Sequence, residues 1–118
     1  MSLNESTILV IGGTGGIGRG ILNELKSLGA RIHFTYRNEE KALSLKESLG
    51  AESIHYLDFE KEPLESLQTV ISKIGIPDYV FIAAGSAYYG SFELMDSKDI
   101  DHVIEVDLKV PILITNFF

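Results

Sequence analysis

A glycine-rich run near the N-terminus has the residue types and spacing of a phosphate-binding loop. It reads Gly-Gly-Thr-Gly-Gly-Ile-Gly from Gly12 to Gly18 and directly follows an apolar segment. Glycine permits a tight turn and lets backbone N–H groups approach a pyrophosphate, and a helix that starts there adds the positive end of its dipole. The alternative is that these glycines only shape a strand-to-helix turn. The residues predicted to bind a dinucleotide here are Gly12, Thr14, Gly15, Gly16, Ile17 and Gly18.

A second candidate feature follows the next apolar segment, where the sequence reads Tyr36-Arg37-Asn38. In dinucleotide folds a carboxylate at this place holds the ribose 2′-hydroxyl, whereas a nearby arginine accommodates a 2′-phosphate. No acid is present at Tyr36, and the Arg37 guanidinium offers a fixed positive fork. We therefore predict that Arg37 and Asn38 bind the cofactor and that NADP(H) is preferred over NAD(H). The alternative is a solvated Arg37 that pairs with Glu40.

These residues lie on a regular alternation of strand and helix patterns. Apolar runs predict four strands, and amphipathic or capped segments predict four helices. The predicted strands are Thr7–Ile11, Ile32–Tyr36, Ser53–Leu57 and Tyr79–Ala84, and the helices are 17–28, 39–49, 63–74 and 97–108, the last ending before Pro111. This alternation predicts an α/β fold with a Rossmann-type, doubly wound parallel sheet. The first and fourth strands look central, but the order three, two, one, four would leave the fourth as an exposed apolar edge.

Length and composition limit the remaining possibilities. The chain has 118 residues, 45% of them hydrophobic, a net charge of -7 and no cysteine. These values predict one folded domain over residues 1–118 and argue against nucleic acid and anionic membranes as partners. With no apolar run long enough for a bilayer, the default location is the cytoplasm. The apolar C-terminal end predicts that the domain is truncated there.

Three sets of residues together resemble the classical short-chain dehydrogenase/reductase family. The spacing of Gly12, Gly16 and Gly18 resembles the family's GxxxGxG, although Gly12, Gly15 and Gly18 equally fit the GxxGxxG of its extended branch. Ile82-Ala83-Ala84-Gly85 stands where the classical members have NNAG, and residues 92–108 resemble the segment that follows. The resemblance is to the N-terminal, cofactor-binding part of the family.

The resemblance implies roles for further residues. Asp58 matches an aspartate that accepts a hydrogen bond from the adenine amino group, and Phe59 lies beside the ring. The residues implied to line the cofactor after the fourth strand are Ala83, Ala84 and Gly85. Asp107 occupies the position of the family's catalytic asparagine and falls on the predicted inward stripe of Ile100, Val103, Ile104 and Leu108. A buried, unpaired carboxylate is costly, so we expect either that Asp107 has a polar partner or that the helix bends there. Two roles remain open for Asp107. It is either a relic of the catalytic asparagine site or a carboxylate that is satisfied by nearby backbone.

The family transfers hydride between a nicotinamide and a carbonyl or alcohol, with a tyrosine and lysine in a YxxxK motif and a serine. The residues four places after the five tyrosines are Glu40, Glu60, Ala83, Phe92 and Glu93, so no such motif is present. The chain is thus expected to be inactive alone. The alternatives to an NADP(H)-dependent oxidoreductase fragment are a non-catalytic dinucleotide-binding or sensing module, or a purely structural domain. The resemblance also implies a small-molecule substrate and a homo-oligomer that uses the helix from Ser97. His33, His55 and His102 show no metal-ligand spacing, so no metal is predicted.

Overall fold

A computed structural model describes residues 3–118 as four strands and five α-helices in strict alternation up to the fourth strand. Met1 and Ser2, the first two residues of the predicted domain, lie outside the described part. The strands are β1 (Thr7–Ile11), β2 (Arg31–Tyr36), β3 (Ser53–Tyr56) and β4 (Tyr79–Ile82). The helices are α1 (Gly16–Ser27), α2 (Glu39–Leu49), α3 (Pro63–Ile74), α4 (Ser97–Ile104) and α5 (Val110–Phe117), with a 3₁₀ turn at Phe92–Leu94 and a π-helical segment at Glu105–Lys109.

The sheet is parallel throughout, in the order β3-β2-β1-β4. Val10 lies opposite Phe34 on one side and Phe81 on the other. The predicted Rossmann-like architecture and strand order are therefore confirmed. Within residues 3–118 β4 pairs only with β1 and leaves Tyr79 and Phe81 exposed, so the fourth strand, whose apolar sequence looks central, is the apolar edge that the predicted order requires. An apolar sequence indicates that a strand is suited to burial, but it does not say which element covers it.

Helices on both faces of the sheet divide the core in two. On one face, α1 and α2 contribute Leu22, Leu25, Ala42, Leu45 and Leu49, which pack against Ile8, Val10, Ile32 and Phe34. On the other face, α3 and the C-terminal helical run contribute Leu67, Val70, Val106, Val110 and Ile114, which pack against Leu9 and Ile11. Alternate residues of the central strand β1 thus enter opposite layers, as the period of two requires. Within residues 3–118 no helix is both long and apolar enough to cross a membrane.

The helix boundaries follow from recognisable end signals. The α2 helix ends at Gly50, which has a left-handed φ of 66°, and α3 begins with Pro63 at its first turn. A capping box starts α4, because the Asp96 side chain accepts from Asp99 N while the Asp99 side chain accepts from Asp96 N. These signals act through local backbone geometry, which is why the sequence predicts them.

The C-terminal helical run differs from its prediction in two ways. It continues past Pro111 to Phe117, because the wide π-helical turn at Glu105–Lys109 lets the helix restart with proline in its first turn, where the missing N–H is tolerated. The row that packs on the sheet is Val106, Val110 and Ile114, whereas most of the predicted inward row is half exposed: Ile100, Ile104 and Leu108 expose 42%, 49% and 56%. The run carries two apolar rows, and periodicity alone cannot choose between them.

Candidate functional site

A cleft of about 430 Å³ opens beside the carboxyl ends of the strands, where the loops after β1, β2 and β4 and the turn after β3 come together. Open parallel sheets bind ligands at such an edge, next to the point where the chain changes direction between strands. The cleft is the place where the predicted site residues meet. Its lining residues are Gly12, Thr14, Gly15, Arg37, Asn38, Lys41, Phe59, Glu60, Ala83, Ala84, Gly85, Ser86, His102 and Val106.

Three glycines of the run are required by the packing of the chain itself. Gly12 has a φ of 86°, and a Cβ on it would lie 2.9 Å from Ala84 N. A Cβ on Gly13 would lie 2.9 Å from Phe34 Cβ, and one on Gly18 would collide with the carbonyl oxygen of Gly12. These positions hold glycine because the turn and the helix pack closely on neighbouring backbone. The purely structural interpretation of the run is therefore correct for these three residues.

Gly15 and Gly16 have no such packing reason. The nearest atom to a Cβ on Gly15 is Gly12 O at 3.8 Å, and nothing lies within 4 Å of a Cβ on Gly16. Neither residue is among the positive-φ glycines of the described chain. The space that their missing side chains leave is open at the start of α1. A phosphate group could approach the backbone there, so the chain fits the dinucleotide that the sequence predicts.

The start of α1 also differs electrostatically from the start of α2. Gly15, the N-cap of α1, provides no side-chain cap, and the first turn contains no acidic residue. In α2, by contrast, the Asn38 side chain accepts from Lys41 N at 3.2 Å, and Glu39 and Glu40 follow in the first turn. The first N–H groups of a helix have no intrahelical acceptor. Of the two helix N-termini, that of α1 is thus the one whose N–H groups remain available to an anion.

Thr35 fixes the glycine turn to β2, a role that the sequence analysis missed. Gly12 N donates to Thr35 Oγ1 at 3.0 Å, and Gly13 N donates to the Thr35 carbonyl oxygen at 3.1 Å. The Thr35 side chain is buried. A hydroxyl within an otherwise apolar strand end was the available signal, because a buried hydroxyl needs a partner.

Two basic side chains line the cleft beside the end of β2. Arg37 is one of them, and its side chain is 68% exposed. It pairs loosely with Glu60, at 3.9 Å between Nη1 and Oε2, and not with Glu40. Lys41 is the other, and it was missed, although its position one helical turn after Arg37 was a usable signal. The Asn38 side chain also borders the cleft, but its oxygen already caps α2.

The turn after β3 brings an acidic group into the cleft. Glu60 N donates to Asp58 Oδ1 at 2.8 Å, and Lys61 N donates to the Asp58 carbonyl oxygen at 3.1 Å. Asp58 is buried and shapes this turn but does not line the cleft, whereas Phe59 and Glu60 do. Glu60 Oε1 lies 3.1 Å from Nδ1 of His102 on α4. Glu60 and His102 are far apart in sequence, so no local pattern could have joined them.

Asp107 lies on the exposed side of the π-helical segment, so its predicted place on an inward stripe was wrong. The wide turn there buries its neighbour Val106 instead. The sequence analysis expects either a polar partner for this carboxylate or a bend in the helix, and both occur. The helix is distorted at Asp107, and Asp107 Oδ1 accepts from Ser86 N at 2.7 Å. Ser86 Oγ, which was also missed, is buried beside the cleft without a hydrogen-bond partner in the described chain.

Of the remaining predicted residues, three line the cleft and three do not. Ala83, Ala84 and Gly85 line the cleft, and Ala83 N donates to Ile11 O at 2.8 Å, which extends the β1–β4 pairing. Gly16, Ile17 and Gly18 are not among the lining residues, and Ile17 exposes 76% of its surface to solvent. The structure therefore does not gather all of the glycine run into one surface.

Two of the three histidines, which lie on different strands, meet away from the cleft through a shared serine. His33 Nδ1 lies 2.6 Å from Ser53 Oγ, which lies 2.7 Å from His55 Nε2. Burial lowers the pKa of His33, and burial together with the proximity of His33 and Lys73 lowers the pKa of His55. The register of β2 and β3, which places His33 opposite Ser53, creates this contact. No group of three or more potential metal-ligating side chains occurs among residues 3–118.

Comparison with known proteins agrees with this geometry. A cyclic-di-GMP-binding biofilm dispersal mediator protein from Escherichia coli K12 is 26% identical over 89% of this chain and 44% of its own length. An NADPH-dependent pterin aldehyde reductase from Arabidopsis thaliana is 28% identical over 87% of this chain and 45% of its own length. The crystal structure of BdcA in complex with NADPH superposes with a TM-score of 0.78 at 27% identity, over 92% of this chain and 43% of that one.

The chain spans a little under half the length of these proteins. Residues 6–118 include every strand, the glycine run and the cleft-lining residues. The sequence profile of the short chain dehydrogenase family matches residues 6–118, and on this evidence the chain belongs to the short-chain dehydrogenase family.

Proposed function

We propose that the chain is the single NADP(H)-binding domain of an oxidoreductase that moves hydride between a nicotinamide and a small-molecule carbonyl or alcohol. The observation that carries the proposal is that the glycine turn and the two cations Arg37 and Lys41 line the same cleft. Open space remains in that turn at Gly15 and Gly16. Two positive side chains and no carboxylate at the end of β2 suit a 2′-phosphate better than a 2′-hydroxyl. The names of two similar proteins mention NADPH, which supports the same cofactor.

Each part of the cleft has a chemical task in this proposal. The N–H groups at the start of α1 bind the pyrophosphate, and Arg37 and Lys41 bind the 2′-phosphate. Phe59 and Val106 give the adenine an apolar wall, and Asp58 fixes the turn that carries Phe59. NADPH, when bound, supplies the hydride. The small residues Ala83, Ala84 and Gly85 keep the cleft open along β4.

Asp107 acts in this proposal as a positioning residue. Its carboxylate holds the backbone N–H of Ser86, which leaves the Ser86 hydroxyl directed to the cleft wall without another partner. Reduction of a carbonyl also needs a proton donor, and no tyrosine of the 118 residues is followed four places later by lysine. We propose that this acid–base pair is supplied from outside these residues.

A non-catalytic sensing module is the second candidate function. It is favoured by Asp107 at the position of the family's catalytic asparagine, by Ile82-Ala83-Ala84-Gly85 in place of NNAG, and by the name of the Escherichia coli relative, which describes binding of cyclic di-GMP. The two candidates differ in turnover. In the complete protein, NADPH oxidation with a panel of aldehydes and ketones would support the enzyme, whereas binding of NADPH or cyclic di-GMP without turnover would support the sensor.

Calorimetric titration of this chain with NADPH and NADH tests the cofactor assignment. We expect NADPH to bind more tightly, and Arg37→Ala and Lys41→Ala each to weaken NADPH about tenfold, the effect of losing one charge-assisted hydrogen bond. NADH affinity should change little. Lys46→Ala, on the same helix but outside the cleft, is the matched control.

Each outcome of this titration has a separate meaning. Equal binding of NADPH and NADH would contradict the NADP(H) preference but not dinucleotide binding. An unchanged NADPH affinity in Arg37→Ala would contradict the role of Arg37 alone. Binding of neither nucleotide would favour the purely structural domain.

A further inference from the structure

One acidic side chain faces the cations of the cleft. Glu60 is the only carboxylate among the cleft-lining residues in the described part of the chain, and its Oε2 lies 3.9 Å from Arg37 Nη1. The distance is longer than a hydrogen bond, and both side chains are about half exposed or more, at 68% for Arg37 and 48% for Glu60. The pair is therefore loose, and the guanidinium keeps its donors free for another acceptor.

The position of Glu60 is nevertheless defined from two sides. Its backbone N–H is held by Asp58 Oδ1 at 2.8 Å, within the turn that Lys61 N closes on the Asp58 carbonyl. Its other carboxylate oxygen lies 3.1 Å from His102 Nδ1, on α4 across the cleft. His102 thus keeps the carboxylate from closing fully onto Arg37.

A carboxylate at this place affects the two nucleotides in opposite directions. A 2′-phosphate bound at Arg37 and Lys41 would bring two negative charges close to Glu60, and like charges at short range repel. A 2′-hydroxyl has no charge and can donate a hydrogen bond to a carboxylate. The acid that the sequence lacks at the end of β2 is thus present on the adjacent turn after β3.

We propose that Glu60 is a specificity-determining residue that narrows the preference of this cleft for NADPH over NADH, and that His102 positions it. The proposal rests on the proposed function, because it assumes that the ribose 2′ position faces Arg37. Glu60 opposes the 2′-phosphate and accepts from the 2′-hydroxyl. His102 holds the carboxylate at an intermediate distance, so that Arg37 remains available to the phosphate.

Substitution of Glu60 provides the first test. Glu60→Gln keeps the shape and removes the charge, so NADPH should bind about three- to tenfold more tightly in calorimetric titration of the full chain, while NADH should bind equally or more weakly. Adenosine 2′-monophosphate and adenosine 5′-monophosphate, titrated alongside, report whether the change belongs to the 2′ position. Glu47→Gln, an exposed glutamate of α2 outside the cleft, makes the same charge change and should alter neither affinity.

Substitution of His102 should change NADPH affinity in the opposite direction to Glu60→Gln. The test therefore does not depend on one variant. In His102→Ala the carboxylate is released toward Arg37, so NADPH should bind about threefold more weakly. In the Glu60→Gln/His102→Ala double variant this loss should disappear, because His102 acts through Glu60. A structural role of His102 alone would lower NADPH and NADH affinity together in both backgrounds.

The results that overturn the proposal differ from those that overturn the cofactor assignment. If wild-type protein prefers NADPH but Glu60→Gln leaves the ratio of NADPH to NADH affinity unchanged or lowers it, Glu60 has no specificity role. If the loss in His102→Ala persists in the double variant, His102 does not act through Glu60. If wild-type protein binds neither nucleotide, the proposed function and this inference fail together.

Discussion

At the scale of single residues, the glycine run combines two different requirements. Gly12, Gly13 and Gly18 are fixed by backbone geometry and close packing, whereas Gly15 and Gly16 border open space at the start of α1. The motif therefore contains both of the explanations that the sequence leaves open. Folding accounts for three of the glycines, and the proposed approach of a phosphate to the backbone is a role for the other two.

Alanine substitutions should separate these requirements. Gly18→Ala places a Cβ against the Gly12 carbonyl, so we expect a loss of at least about 1 kcal/mol in the free energy of unfolding, measured in urea. Gly15→Ala meets nothing closer than 3.8 Å, so it should change stability by less than about 0.5 kcal/mol and yet weaken NADPH binding in calorimetry. Equal effects of the two substitutions on stability would contradict this division.

The contact of His33, Ser53 and His55 predicts a dependence of stability on pH. Burial lowers the pKa of both histidines, and Glu52, Arg31 and Lys73 are the charged groups nearest to them. As the pH falls through the usual histidine value of about 6.5, the unfolded chain binds protons that the folded chain does not, so acid favours unfolding. We expect Tm to fall between about pH 7.5 and pH 5.5.

A double variant tests the source of that dependence. His33→Gln/His55→Gln removes both titrating groups and should flatten the fall in Tm, whereas His102→Gln, which leaves the pair intact, should preserve it. A slope that is the same in the double variant as in the wild type would assign the pH dependence to other groups.

At the scale of elements, the site depends on how each loop is tied to its neighbour. Thr35 ties the turn after β1 to β2, Asp58 closes the turn after β3, and Asp107 ties the distorted helix to the loop after β4. Each of these three hydrogen bonds joins a polar side chain to a backbone N–H near the cleft. The strand ends are thereby held in one arrangement, as a site that must bind a ligand requires.

The C-terminal helical run allows a direct test of which helix face is buried. Ile114 is fully buried against the sheet, whereas Ile112, two residues earlier, is 57% exposed. Ile114→Ala should cost about 2–5 kcal/mol of unfolding free energy in urea denaturation. Ile112→Ala, the same chemical change, should cost less than about 0.5 kcal/mol. Comparable costs would mean that the run after Pro111 does not pack as described.

At the scale of the whole molecule, apolar surface remains uncovered along the same run. Ile100, Ile104, Leu108 and Ile112 recur every four residues and expose 42%, 49%, 56% and 57%. Contiguous apolar surface of this kind commonly marks an interface. The resemblance noted from the sequence implies a homo-oligomer that uses the helix from Ser97, and this row of side chains agrees with that prediction.

Charges placed on this row should weaken self-association. We expect Ile104→Glu/Leu108→Glu to shift the mass measured by light scattering toward that of a monomer, because buried unpaired carboxylates are costly. The control Gln68→Glu/Thr69→Glu adds the same two charges to exposed positions of α3 and should leave the mass unchanged. A monomeric wild-type chain at all concentrations would contradict the prediction.

The sequence by itself determined the framework of the molecule. The alternating patterns predict the parallel sheet and its order, and Gly50, Pro63 and Asp96 mark helix ends because a cap acts on backbone within a few residues. The glycine run predicts the position of the cleft for the same reason, since its conformation is local. Arg37 could be assigned to the cleft because every parallel strand presents its carboxyl end to the same edge.

Only the tertiary structure decided how distant residues meet. Glu60 with His102, Asp107 with Ser86, and His33 with Ser53 are separated by 20 or more positions, and no local signal relates them. The choice between the two apolar rows of the last helices likewise depends on which neighbours cover them. A sequence pattern records that a side chain is suited to burial or to charge, whereas its partner is set by packing.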